Sequence, residues 1–337
     1  MRGTPVDPLL IAEIGVNHDG DPERAAAMVE DCAAAGFDAV KFQYWLVDEL
    51  LAAEAPNADY QGPGDQRDLL ATLSLDLAEL AGLGRQSQAL GLMFIVTPDG
   101  QQACADVVSL GPDVLKIGSG DADNPWLLEA AAASGLPVIA STGMMPDDEV
   151  AMLVQRLADV DDVVLLHCVS AYPTPLDHLG LGRMRRLADL SGRPVGLSDH
   201  TVGLAAPSAA LALGAVVVEK HVTWSTDAAG PDHAMSLSLD EAGAWVSTLK
   251  ALARGLHGPL PSLDEERNRT AVRKALYTRR ALVPGDVVRR EDLAPLRPLG
   301  DGIAAGRVAD AVGRIVTRPV ADGQRLSWRD LEPRTGW

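Results

Sequence analysis

Eight short apolar runs, each followed by a helix-like stretch, recur along the first three quarters of this 337-residue chain. The runs are LLIAEIGV (9–16), DAVKFQ (38–43), LMFIVTP (92–98), VLKIGS (114–119), PVIAST (137–142), VVLLHCV (163–169), PVGLSDH (194–200) and VVVEKHVT (216–223). Stretches rich in Ala and Leu fit helices at 22–36, 68–90, 100–109, 125–134, 147–158, 178–190, 203–213 and 239–256. The runs are almost continuously apolar, as expected of parallel strands covered on both faces. Eight such units over roughly 250 residues predict an α/β fold, a (β/α)8 TIM barrel. An open doubly wound sheet is the alternative. The first run is followed by no G-x-G-x-x-G, which weakens a dinucleotide-binding reading.

Two segments interrupt the alternation, at 44–67 and 224–238. Both follow strands, so both belong to the carboxyl face of a barrel, where active sites of this fold form. After Gly255 the composition changes. The sequence predicts a barrel over 1–256, a linker over 257–274 and a small β-rich module over 275–337 with tight Gly turns such as PGD (284–286) and ADG (321–323). A module of about 60 residues is marginal alone and usually leans on a partner surface.

Composition narrows the class. Hydrophobic residues make up 47% of the chain but aromatics only 4%, so Ala, Leu and Val must fill the core. No apolar run nears the roughly 20 residues that span a bilayer, and MRGTPVDPLLIAEIG lacks the layout of a signal peptide. The expectation is a soluble cytoplasmic protein. A net charge of −18 argues against nucleic acid or an anionic membrane as partner. It does not exclude a small anion, which responds to the local field of its pocket. Cys32, Cys104 and Cys168 have no metal-ligand spacing and read as buried free thiols. Of 29 basic residues only Lys41, Lys116, Lys220, Lys250 and Lys274 are lysines, and the first three fall within strand runs. A Lys in a chain that otherwise prefers Arg hints at a need for a compact ammonium.

Side chains alternate faces along a strand. One choice of register per strand aims Glu13, Lys41, Gln43, Lys116, Ser198, His200 and His221 at the barrel axis and turns Lys220 away. Glu219 shares the face of His221, and Asn17 that of Glu13. His200 and His221 sit at the ends of successive strands, where two imidazoles can hold one divalent cation with waters completing the shell. Lys41 and Lys116, with Ser119, Ser141 and Ser198, can bind a phosphate or carboxylate by charge and hydroxyl donors. GSGD (118–121) offers small residues and free backbone N–H groups for the same task. His167, inside an apolar strand, reads as a core histidine. His233 is placed to reach the pocket, and Asp232 beside it is the better candidate, able to bind sugar hydroxyls.

Taken in order, IAEIGVNHDG, AVKFQ, LKIGSGD, STGM, LLHCVSAYPTP, GLSDHT, VVVEKH and GPDH resemble the sialic acid synthase family, enzymes that condense phosphoenolpyruvate with a sugar aldehyde. The resemblance runs from about residue 8 to 255 and continues into the C-terminal module. There RRALVPGDVVRREDL, LRPLGDGI and GRIVTRPVADGQRL resemble the family's antifreeze-like (SAF) domain.

The resemblance implies roles for particular positions. His200 and His221 match metal ligands, with Mn²⁺ the expected ion and Mg²⁺, Co²⁺ or Zn²⁺ the alternatives. Lys41, Thr97, Lys116, Ser119, Ser141 and Ser198 match positions that hold phosphoenolpyruvate, and Glu13 matches an acid near the metal. Gln43, Asn57, Asp121, Tyr172 and Asp232 match positions lining a sugar pocket. Arg297 matches an arginine that the SAF domain inserts into the neighbouring subunit, which implies a domain-swapped homodimer. The implied reaction joins phosphoenolpyruvate to an N-acetylmannosamine-like aldehyde, giving a nonulosonic acid and phosphate by C–O cleavage. The same chemistry on another aldose or a phosphorylated sugar, a Schiff-base aldolase using Lys41 or Lys116, and a non-catalytic sugar-binding relative are the alternatives. Asp121 stands where the family commonly has Glu, Ser170 where some members have Asn, and TPDG (97–100) replaces a TPFD-like string. Leu299 stands where Gly is common.

Overall fold

The computed structural model describes residues 3–52, 65–258 and 262–333. Its strands are β1 (Leu9–Gly15), β2 (Ala39–Trp45), β3 (Met93–Asp99), β4 (Val114–Ile117), β5 (Val138–Ser141), β6 (Val163–Cys168), β7 (Val195–Asp199) and β8 (Val217–Thr223). They pair in parallel in that order, and β1 also pairs with β8, so the sheet closes on itself. A short β9 (Leu237–Ser238) adds to the end of β8. The chain is a TIM barrel, as the eight-fold alternation predicts.

Period two is visible along every strand. Leu9 and Ile11, Ala39, Ile95, Val114, Ile139, Val164 and Leu166, and Val217 belong to one buried apolar cluster inside the barrel. Two residues further along the same faces stand Glu13, Lys41, Thr97, Lys116, Ser141, Cys168 and Glu219. The amino end of the barrel is therefore an apolar plug and the carboxyl end a polar basin. The opposite faces, Leu10, Val40, Phe94, Leu115 and Val218 among them, pack against the helices.

Local chemistry sets the helix boundaries. Helix α1 (Pro22–Ala35) opens with Asp21 accepting from Glu23 N and Arg24 N, and ends at Gly36 with φ 87°. Helix α2 (Val47–Leu50) is a single turn after β2. The helix predicted over 68–90 is two, α3 (Gln66–Leu73) and α4 (Leu77–Ala89). Asp76 and Glu79 form a capping box that starts α4 afresh, with Ser74 extended before it. Helices α5 (Gln101–Ser109), α6 (Pro125–Ala133) and α7 (Asp147–Arg156) follow β3 to β5. The helix predicted at 178–190 begins later, as α8 (Arg183–Ser191), because Gly180, with φ 58°, breaks its first turn. Helices α9 (Ala205–Ala212) and α10 (Leu239–Leu256) complete the ring. No helix among the described residues is long and apolar enough to cross a membrane.

The chain divides into two compact units after His257. The stretch 257–274, expected as a linker, contains helix α11 (Leu263–Val272), started by a Ser262–Glu265 capping box. The second unit, which includes α11, has an antiparallel pair, β10 (Ala275–Thr278) and β11 (Leu293–Leu296), isolated bridges, and a short helix, α12 (Val308–Ala311). Its core is Leu276, Leu282, Val288, Ile303, Val316, Val320, Leu326 and neighbours. Two buried aspartates brace it in the same way: Arg280 donates to Asp292 at 2.7 Å and Arg318 to Asp330 at 2.5 Å.

His18, in the turn after β1, is buried, and its Nδ1 accepts from Gly20 N at 3.0 Å. Burial pushes the imidazole pKa down from 6.5 to about 4. The unfolded chain therefore takes up this proton first as pH falls. The contribution is whole above pH 6.5 and is lost between pH 6.5 and about 4. His18→Asn should lessen the loss of stability between pH 7 and 4.5 by about 2–3 kcal/mol, read from urea denaturation at both values. Parallel acid sensitivity in the two proteins would contradict this.

Candidate active site

At the carboxyl end of the barrel lies a cavity of about 540 Å³. Its floor is a buried charge network built by adjacent strands. Glu13 is the register partner of Lys41 on β2 and of His221 on β8. Lys41 Nζ lies 2.8 Å from Glu13 Oε2, donates to Thr97 Oγ1 at 3.1 Å, and stands 3.8 Å from Glu219 Oε2. Lys116 Nζ donates to Ser141 Oγ at 2.7 Å and to the Ile117 carbonyl at 3.0 Å, and is 3.9 Å from Glu219 Oε1. Ser198 Oγ donates to Glu219 Oε1 at 2.8 Å, and Gln43 Nε2 to Glu13 Oε1 at 3.1 Å.

The two carboxylates differ in character. Burial raises the pKa of Glu13 to about 7 even though Lys41 opposes it. Burial acts on Glu219 too, but Lys116 and Lys41 outweigh it and hold its carboxyl below the usual range. Burial lowers Lys116, whereas Glu13 and Glu219 overcome burial at Lys41 and raise it. The floor thus carries two cationic donors, one ionised carboxylate and one carboxyl suited to exchanging a proton near neutral pH.

Ser119 lines the same cavity just past β4, and its Oγ accepts from Gly143 N at 3.0 Å. A Cβ on Gly143 would stand 2.6 Å from Ser170 Oγ and 2.8 Å from Ser119 Oγ, so the β5–α7 loop needs glycine there to approach the serines. Lys41, Lys116, Ser119, Ser141 and Ser198 line the cavity together, a set of donors that fits an anion.

The histidines occupy the other side. The ring centroids of His200 and His221 are 5.5 Å apart, and Tyr172 lies 4.3 Å from His200. His200 Nδ1 is 2.9 Å from the Val169 carbonyl. A carbonyl only accepts, so Nδ1 carries a proton, and in the neutral ring Nε2 keeps its lone pair. His221 is held well below its usual pKa by burial and by its cationic neighbours, and is neutral. Its buried Nδ1 makes no hydrogen bond and lies 3.4 Å from Asp232 Oδ2. At His200 burial is overcome by the Cys168 sulfur and the Val169 carbonyl, which raise its pKa. Once His200 gives up its Nε2 proton, the two imidazoles, one with an unpartnered buried nitrogen, fit a divalent cation. Among the described residues no group of three His, Cys, Asp or Glu side chains forms a ready cation cluster.

His221 also lines an adjoining cavity of about 220 Å³ with Gln43, Tyr172 and Asp232. Burial raises Asp232 to about 6. Asp121 lies outside both cavities. It lines a third, acidic one with Glu49, Asp99 and Asp123, and accepts from Asn124 Nδ2 at 2.8 Å. Asn57 lies outside the described residues, and Arg297 is an exposed residue of the second unit.

His233 does not reach the pocket. Its ring is buried between Thr223 Oγ1 at 2.8 Å and Asp19 Oδ1 at 3.2 Å, where it pins the loop carrying Asp232. His167 is a core histidine, with Nε2 donating to the Leu179 carbonyl at 2.7 Å. Asn17 leaves the face of Glu13 because β1 bulges between Glu13 and Gly15, and it donates instead to the Val222 carbonyl. Cys168 is a buried thiol but also a cavity wall, 3.9 Å from His200 Nδ1. Sequence reasoning missed Glu219 and Asp99 as cavity residues. The signal for Glu219 was its parity with His221, and for Asp99 its parity with Thr97.

Charged groups buried at the carboxyl ends of barrel strands define a TIM-barrel enzyme. Residues 28–258 match the NeuB family and residues 273–332 the SAF domain. The chain belongs to the NeuB family and is an enzyme of the sialic acid synthase type. It is 35% identical to N,N'-diacetyllegionaminic acid synthase of Legionella pneumophila, over 98% of this chain and 96% of that one. It is 29% identical to human N-acetylneuraminate-9-phosphate synthase over 75% and 72% of the two chains. A solved spore coat polysaccharide biosynthesis protein E from Chromobacterium violaceum superposes with TM-score 0.77 at 27% identity, over 97% of this chain and all of that one. The N-acetylneuraminic acid synthetase of Leptospira borgpetersenii, solved with citrate, gives 0.69 at 31% identity, covering 78% and 90%.

Gly143→Ala should leave the barrel folded but push the β5–α7 loop off Ser119, because the new Cβ would also meet Ser119 Cβ at 3.2 Å. It should weaken binding of inorganic phosphate about tenfold, the worth of one hydrogen bond to a charged group. Calorimetric titration checks this, and unchanged affinity would remove Ser119 from the anion site.

Proposed function

We propose that the chain condenses phosphoenolpyruvate with an N-acylhexosamine aldehyde, giving a nonulosonic acid and inorganic phosphate. The observation that carries this reading is the position of His221. It lies at the junction between a cavity floored by Lys41 and Lys116 and a polar cavity flanked by Gln43, Tyr172 and Asp232. An anionic donor fits the first and a hydroxyl-rich acceptor the second. The synthase names of the relatives agree with that division.

Lys41, Lys116, Ser119, Ser141 and Ser198 would hold the phosphate and carboxylate of the donor and spread their charge. His200 and His221 would hold a divalent cation, most suitably Mn²⁺. When bound, it would supply Lewis-acid polarisation of the acceptor aldehyde. C3 of phosphoenolpyruvate bonds to the aldehyde carbon, and C2 becomes an oxocarbenium ion. Water adds at C2 and gives up a proton, for which Glu13, with its pKa near 7, is matched. The C2–O bond then breaks and phosphate leaves. Gln43, Tyr172 and Asp232 orient the acceptor. We further propose a cytoplasmic homodimer in which Arg297 of the partner subunit completes the acceptor side.

A panel of N-acylhexosamines, with and without a phosphate group, incubated with phosphoenolpyruvate and Mn²⁺ should give a product whose mass equals acceptor plus phosphoenolpyruvate plus water minus phosphoric acid. Release of phosphate should require the acceptor. His221→Ala should lower turnover at least a thousandfold, an order typical of losing an electrostatic catalyst, without unfolding the chain. A covalent adduct trapped by borohydride with pyruvate would sink this mechanism in favour of a Schiff base. Arg297→Ala should raise KM for the acceptor about tenfold and leave that for phosphoenolpyruvate unchanged. A monomer by light scattering would refute the shared site.

A further inference from the structure

The strands that turn His200 and His221 inward turn Asp199 and Lys220 outward, and these two meet behind the site. They are register partners on β7 and β8, and both are buried. Lys220 Nζ lies 3.1 Å from Asp199 Oδ2. It also donates to the Asp199 carbonyl at 3.4 Å and to the Thr201 carbonyl. An ammonium has three N–H donors, and here each finds an acceptor. The remaining oxygen of Asp199 accepts from Thr201 N at 2.9 Å and Thr201 Oγ1 at 2.8 Å.

Two of the three bonds go to the peptide oxygens on either side of His200. The β7–β8 ladder stops at Asp199 and Lys220, so His200 has no strand partner on β8. Its backbone is held from the β6 side by Thr174 N, which donates to the His200 carbonyl at 2.9 Å. On the β8 side the side chain of Lys220 replaces the missing ladder bond, and Lys220 is the covalent neighbour of His221. One ammonium thus ties the backbone of one imidazole to the strand that bears the other.

We propose that the Lys220–Asp199 pair is a positioning device that sets the spacing and orientation of His200 and His221. This rests on the reading of the two histidines as a divalent-cation site. A buried ion pair is weak evidence of stabilisation, since apolar replacements often serve as well. An apolar pair cannot bond both carbonyls that flank His200. The side chains of the pair bond to Asp199 and Thr201 and to none of the side chains that would hold the donor, so their removal should spare the lysine side of the pocket.

The test is the double variant Lys220→Met with Asp199→Asn, made in the full chain. It removes both charges while leaving an oxygen for Thr201 N–H. Binding of Mn²⁺ is followed by calorimetry and by the loss of the free-ion paramagnetic resonance signal, beside thermal unfolding and steady-state kinetics. The expected result is a cooperative melt near that of wild type and Mn²⁺ affinity lowered at least tenfold, the scale for residues that orient ligands. With it, kcat should fall while KM for phosphoenolpyruvate stays within twofold. Lys220→Arg, which keeps the ion pair but not the three-point geometry of the ammonium, should weaken Mn²⁺ severalfold and serves where the double variant does not fold. Mn²⁺ affinity within twofold of wild type in either folded variant overturns the proposal. Wild type that binds no Mn²⁺, or His221→Ala that binds it unchanged, overturns the cation site as well.

Discussion

Closure of the barrel through β1 is the constraint on which the site depends. It places Glu13 in register with Lys41 on one side and His221 on the other. A lone buried carboxylate is untenable in an apolar barrel, and so is a lone ammonium. Side by side at 2.8 Å they become tolerable, and Glu219 extends the pairing to Lys116. Each charge in the basin is there because a neighbouring strand supplies its partner.

The same closure separates stability from chemistry along the barrel axis. Below the charged layer the inward residues are aliphatic and buried, and their packing needs no polar partner. Above it the loops bring Ser119, Gly143 and Tyr172 over the basin. Lys41 and Lys116 facing ionised Glu219, with Glu13 and Asp99 both raised to about 7, leave the floor close to neutral. An incoming anion therefore meets fixed donors without having to displace a strong internal salt bridge from both lysines at once. Lys41 and Lys116 each have two close partners, so each ammonium keeps a third N–H for a ligand.

Strand parity made most of this basin legible in advance, because period two is a backbone property and the runs were short and unambiguous. It placed Lys41, Lys116, Ser198, His200 and His221 inward and Lys220 outward. It failed at Asn17, where the bulge after Glu13 shifts the phase, and bulges leave little mark in a single sequence. Parity also puts Glu219 on the face of His221, and its place in the basin follows from that. Asp121 was placed by motif alone, and a loop residue's direction depends on local bonds such as that from Asn124. The split of the 68–90 helix was written in Asp76 and Glu79, a capping signal weaker than the continuous Ala/Leu content around it.

The histidine pair differs from the rest of the basin in how it is held. The lysines and carboxylates restrain each other, whereas the imidazoles of His200 and His221 do not attract one another. Their arrangement must come from outside: the Val169 carbonyl for the His200 ring, and backbone bonds for its position. No third protein ligand closes around them among the described residues. An open coordination shell is what a catalytic cation needs, since substrate oxygens must enter it. In the proposed cation site few protein ligands would share the work of fixing geometry, so restraint from the helix side of the barrel would carry correspondingly more weight.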